Sequence, residues 1–129
     1  MDIGQKALEY HASGYNCAQS VFAACCGYTG VDEKTALALS AGFGGGLRSG
    51  EVCGAIAGAV MAADMVFPFN DASDAAAKQK IAAIAQKCVD IAREKYGCVR
   101  CAELKGNINC GEIIEFMAKT AEEIINKEK

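Results

Sequence analysis

The chain has 129 residues, 52% of them hydrophobic and 22% charged, with one proline and no tryptophan, a balance that excludes disorder and favours helices over a β-sandwich. A net charge of −3, with no basic patch along the chain, argues against nucleic acid as a partner. The N-terminus "MDIGQKALEYHASGYNC" lacks the charged and apolar regions of a signal peptide, and the uncharged run Val52 to Ala63 is too short to span a bilayer. The expectation is one cytoplasmic domain over residues 1–129, with no membrane contact.

Every segment reads as helix. The first runs from Ile3 to Ala12 and ends at Ser13-Gly14. Asn16 caps a second from Cys17 to about Cys26, with Gly27 as its left-handed stop. Asp32 caps a third, "EKTALALSAGF", which runs into Gly44-Gly45-Gly46. A fourth runs from about Glu51 to Phe67 and stops at Pro68. Asp71 or Ser73 opens the longest, to about Tyr96, with Gly97 at its end. A short turn near Arg100 to Leu104 follows, and Asn109 caps a last helix to about Asn126. The long helix carries a seam of Ala77, Ile81, Ile84, Cys88 and Ile91, and the last repeats that spacing. These elements predict an all-α, single-domain bundle of five or six helices.

Cysteine is the compositional outlier, with eight residues; in a reducing compartment that number points to metal or redox chemistry rather than a disulfide framework. Cys25 and Cys88 fall on apolar seams and read as core, and Cys26 beside Gly27 reads as structural. Three others sit at helix starts: Cys17 after Asn16, Cys110 after Asn109, and Cys53 in the first turn after the glycine loop. Helix N-termini favour negative charge and lower thiol pKa values. "CVRC" (Cys98, Cys101) lacks the βαβ setting of a thioredoxin-type motif. With Cys110 close behind, and Cys17 and Cys53 to complete the shell, it reads as a cluster or metal lobe. Zinc would accept four thiolates, but its ligands usually come as paired knuckles, whereas iron–sulfur sites permit ligands scattered along helices.

In "VCGAIAG" the small residues Gly54, Ala55, Ala57 and Gly58 remove bulk around Cys53. Gly54 and Gly58 form a GxxxG surface, read equally well as close helix–helix packing or as room for a cofactor. The loop "GFGGGLRSGE" lacks the lysine and Ser/Thr of a phosphate-binding loop and follows a helix. His11, the only histidine, excludes histidine-based triads and metal sites. Asp64 reads as a partner for Arg48 or as a surface residue.

Three stretches, "GYNCAQSVFAA", "GFGGGLRSGEVCGAIAGAVMA" and "GCVRCAELKGNINC", resemble the small bacterial and archaeal proteins named for their C_GCAxxG_C_C pattern. Ile56 stands at the first variable position, and Val52 precedes the cysteine where the family name writes glycine. The resemblance implies redox activity carried by Cys17, Cys53, Cys101 and Cys110, with Cys98 at a position where the family carries a small residue. A similar domain accompanies an iron–sulfur centre in split-Soret cytochromes, although this chain has no CxxCH for haem.

Two expectations follow for function. In the first, Cys17, Cys53, Cys101 and Cys110 bind an iron–sulfur cluster, [2Fe–2S], for electron transfer, and backbone at Gly45, Gly46 and Gly54 with the side chain of Arg48 stabilises it. In the alternative the protein is cofactor-free: Cys17 or Cys53 is a low-pKa nucleophile and Cys101 or Cys110 resolves it. No substrate or general acid–base pair stands out. The expected partner is a redox protein of unidentified kind, and the GxxxG helix and the long apolar seam are compatible with a homodimer.

Overall fold

Short polar side chains set where the helices begin. In the computed structural model, which describes residues 1–129, Asp2 accepts a hydrogen bond from the Gln5 amide (2.8 Å) and opens α1 (Ile3–Ala12). Asn16 opens α2 (Cys17–Ala24) with a reciprocal capping box: its side chain accepts from the Gln19 amide (3.0 Å), and Gln19 Oε1 accepts from the Asn16 amide (3.1 Å). Asp32 opens α4 (Glu33–Ser40) by accepting from the Thr35 amide (3.1 Å), and Asn109 opens α8 (Cys110–Glu128) by accepting from the Gly111 amide (2.7 Å). Between these lie α3 (Cys26–Thr29), α5 (Gly54–Val66), α6 (Ala75–Tyr96) and α7 (Cys101–Leu104). Six of the eight helices have at least seven residues and there is no strand, so the fold is all-α as expected.

Beyond the third predicted helix, drawn to Phe43 but ending at Ser40 with Ala41–Phe43 as a 3₁₀ turn, three boundaries differ from the sequence expectation. The second helix breaks at Cys25, makes one further turn as α3, and closes at Gly30 in the left-handed conformation (φ 74°), so Gly27 is not the stop. Asp74, not Asp71 or Ser73, caps α6. Asp71 is engaged one turn earlier, accepting from the amide and hydroxyl of Ser73. The third difference bears on function: α5 begins at Gly54, three residues after the expected Glu51, and Cys53 is its N-cap. Residues 51–53 are extended because they pair with residues 99–101. The Cys53 amide donates to Val99 O (2.8 Å), the Cys101 amide donates to Glu51 O (2.6 Å), and Val52 and Arg100 form an antiparallel bridge.

Four helices make the centre. Helix α5 packs most extensively on α2, α1 packs on both α2 and α8, and α8 also meets α5; α4 covers α2, and α6 covers α5. Phe22, Ile56, Ile114, Met117 and Ile125 are the large side chains fully enclosed there. The GxxxG surface is used inside this core. A β-carbon on Gly58 would lie 2.8 Å from Ala18 O and 3.0 Å from Val21 Cβ, so glycine is what lets α5 approach the backbone of α2. That face is covered by the chain's own helix and is not available to a second copy.

Candidate functional site

Four helix starts converge at one end of the bundle. Cys17 is the first residue of α2, Cys53 the N-cap of α5, Cys101 the first residue of α7 and Cys110 the first residue of α8. Together with Leu104, Lys105, Ile108 and Ile113, these four cysteines line one small cavity of about 30 Å³. The extended pairing of 51–53 with 99–101 holds Cys53 and Cys101 on the same wall. Burial falls along the set: Cys53 is 6% exposed, Cys17 and Cys101 are half-buried, and Cys110 is exposed.

Cys17 and Cys53 stand side by side on the cavity wall. The Cys53 thiol hydrogen-bonds to Cys17, the backbone N–H groups of Gly45, Ala18 and Cys17 also point at that sulfur, and together they outweigh burial and lower the Cys17 pKa from 9.0 to about 6. Cys53 is displaced the other way, because it shares its proton with Cys17 and is buried. Cys17 is therefore the thiolate of the pair, since the backbone donors of the loop and of its own helix start surround it. The Cys101 thiol is raised by burial first and then by the charges of Cys17 and Cys110.

The glycine loop makes this contact feasible. A β-carbon on Gly54 would sit 2.5 Å from Cys17 Sγ and 2.8 Å from Phe43 O. Gly45, Gly46, Leu47 and Arg48 run consecutively with positive φ (65°, 63°, 60° and 57°), a single left-handed turn. Two of those residues are not glycine, and each costs about 1–2 kcal/mol in that conformation. The turn presents the Gly45 N–H to Cys17, while Asn16 Nδ2 donates to Ala41 O (2.9 Å) and ties the α2 cap to the segment entering the loop.

The other residues singled out from sequence separate clearly. Arg48 is exposed on the left-handed turn and does not line the cavity. Arg100 pairs with Glu51 at 3.3 Å on the surface. Gly46 packs against the backbone of Glu51. Asp64 is exposed at the end of α5, where its charge reaches Cys88 rather than Arg48. Cys98 faces the Tyr96 carbonyl oxygen (3.9 Å) and takes no part in the cavity, so "CVRC" delivers one sulfur to the site. Cys25 and Cys88 are fully buried, and burial pushes their thiols up to about 12 and about 11, as befits inert core cysteines. Cys26 lines a separate open cleft with Tyr10 and Glu33.

The four thiols suit an iron–sulfur core chemically, but the space between them is small. No three Cys, His, Asp or Glu side chains come close enough to hold one ion. A cavity of about 30 Å³ has room for a water molecule or two, so the sulfurs as placed do not fit around an inorganic core. Zinc, which takes four ligands on one ion, meets the same obstacle.

No helix is long and apolar enough to cross a membrane. The family model described as "Putative redox-active protein (C_GCAxxG_C_C)" matches residues 15–124, a span that contains all four cysteines of the cavity. No curated protein and no solved structure matches the chain.

Proposed function

Because the chain belongs to the C_GCAxxG_C_C family, we propose that it performs two-electron thiol redox chemistry at the four-cysteine cavity, with Cys17 as the reactive thiolate and Cys53 as the thiol that completes a disulfide with it. The observation that carries this reading is the placing of Cys17 and Cys53 side by side in one cavity, where Cys53 and the Gly45 N–H lower the Cys17 thiol pKa to about 6. A thiolate attacks a disulfide far faster than a thiol does, and a pKa near ambient pH is close to the optimum for attack.

The step balances as follows. The Cys17 thiolate attacks one sulfur of a substrate disulfide, that S–S bond breaks, and the far sulfur leaves as a thiolate. Cys53 then loses its proton and attacks Cys17 Sγ, expelling the near sulfur as a second thiolate. The Cys17–Cys53 pair is oxidised by two electrons and the substrate is reduced by two. The proton from Cys53 and one from water complete the two product thiols. Gly54, whose missing β-carbon would lie against Cys17 Sγ, leaves space for the two sulfurs to close on one another, and burial of Cys53 restricts which oxidants reach it.

A second reading is favoured by one observation, the convergence of four sulfurs from four helix starts on a single cavity. In it the same cysteines hold an iron–sulfur cluster, [2Fe–2S], for electron transfer, and the cavity opens to admit the core. An anaerobic preparation separates the two. The thiol reading expects a colourless chain without stoichiometric iron, zinc or acid-labile sulfide, and a Cys17–Cys53 disulfide on oxidation. Iron and sulfide present together, and lost in Cys53→Ser or Cys110→Ser, would overturn it in favour of the cluster.

A further inference from the structure

The four cavity cysteines are graded from core to surface, and each step of the grade joins neighbours. Cys53 is buried and lines the cavity beside Cys17. Cys101, half-buried, feels the charges of both Cys17 and Cys110. Cys110 is exposed. Cys101 and Cys110 begin α7 and α8, at the two ends of the segment that supplies Leu104, Lys105 and Ile108 to the cavity. The most reactive sulfur is thus not the most accessible one. A bulky disulfide meets Cys110 before it can reach Cys17.

We propose that the sulfurs form an ordered relay, Cys110–Cys101–Cys17–Cys53, in which the exposed couple exchanges with the substrate and Cys101 passes the disulfide inward to Cys17. This rests on the thiol reading above and adds to it a site of entry and a substrate class, disulfides too large to enter the cavity. The external disulfide oxidises Cys101 and Cys110 to a disulfide and is itself released as two thiols. The Cys17 thiolate attacks Cys101 Sγ, the Cys101–Cys110 bond breaks, and Cys110 leaves as a thiolate. Cys53 loses its proton and attacks Cys17 Sγ, which breaks the Cys17–Cys101 bond and frees Cys101. Two electrons move from the inner couple to the outer, and the Cys53 proton with one from water restores both outer thiols. The Cys101 amide bond to Glu51 O (2.6 Å) keeps the exchanging residue on the wall that also carries Cys53.

The test uses the full-length, reduced, metal-free chain and one equivalent of oxidised glutathione under anaerobic conditions. Acid quenching at intervals, alkylation and peptide mass spectrometry then give the order of disulfides. The relay predicts glutathione on Cys110 or a Cys101–Cys110 disulfide first, and Cys17–Cys53 afterwards. Cys53→Ser accumulates Cys17–Cys101. Cys110→Ser, a change at an exposed residue, slows Cys17–Cys53 formation by about tenfold or more, while Cys98→Ser leaves it unchanged. Glutathione found first on Cys17, with an unchanged rate in Cys110→Ser, would overturn the relay and leave the thiol reading standing. Absence of any disulfide containing Cys17 in wild type and variants alike would overturn both.

Discussion

A β-carbon on Gly54 would lie 2.5 Å from the Cys17 sulfur, so the glycine after Cys53 exists for the cysteine on the neighbouring helix. Its companion Gly58 meets Ala18 O and Val21 Cβ of the same helix. One glycine thus serves the site and the other serves packing. Both changes to alanine should destabilise by about 1–3 kcal/mol through overpacking, read as midpoints of denaturant unfolding. Only Gly54→Ala should also raise the Cys17 pKa, by pushing its sulfur away from Cys53 and Gly45. Equal effects of the two substitutions on that pKa would contradict this division.

One part of the pH dependence follows from Cys17. Its folded pKa is lowered from 9.0 to about 6, so the folded state favours the thiolate relative to the unfolded chain. The stability this contributes is fully present above pH 9, falls as pH drops through the window between 9 and 6, and is absent below 6. Site-resolved alkylation of Cys17 should titrate with a midpoint near 6. In Cys53→Ala that midpoint should rise, because the largest stabilising contact is gone and burial, the next largest influence, opposes the thiolate.

Asn16 joins the helix cap to the loop. Its side chain accepts from Gln19 and donates to Ala41 O. Asn16→Ala should cost about 1–2 kcal/mol as a lost cap and should also raise the Cys17 pKa, since the Gly45 amide is no longer held over the sulfur. Asp32→Ala, which removes a cap of α4 that does not line the four-cysteine cavity, should lower stability and leave Cys17 alone. A Cys17 midpoint unmoved in Asn16→Ala would show that the loop is positioned by other contacts.

Leu47 has φ 60° and is 58% exposed. Leu47→Gly relieves a left-handed conformation at little loss of burial, so it should stabilise the fold by about 0.5–1 kcal/mol after the added freedom of the unfolded chain is counted. Thermal unfolding of the two proteins at the same pH checks the sign.

What the sequence makes legible is local. Asn16, Asp32 and Asn109 announce helix starts because an Asx side chain and the amide it receives lie within three residues of each other. That grammar alone places Cys17 and Cys110 at the first residues of their helices. Cys53 is different: pairing with Val99 and Cys101 keeps residues 51–53 extended and delays α5 to Gly54, and nothing within one helical turn of Cys53 encodes that partner. The left-handed turn is likewise hidden at Leu47 and Arg48, two residue types that do not advertise positive φ. The resemblance to the family supplied Cys101 over Cys98, which spacing within "CVRC" could not choose; the structure places Cys101 on the cavity and turns Cys98 toward Tyr96 O.

The central claim is that Cys17 and Cys53 are a redox couple, and its most direct measurement is a redox titration of the metal-free chain in graded dithiol buffers, with each disulfide identified by mass spectrometry. The account predicts a reversible two-electron transition in which Cys17–Cys53 is the disulfide that forms at equilibrium, lost in Cys17→Ser and retained in Cys98→Ser. A chain whose Cys17 and Cys53 stay reduced across the whole range, while other cysteines oxidise, would contradict it.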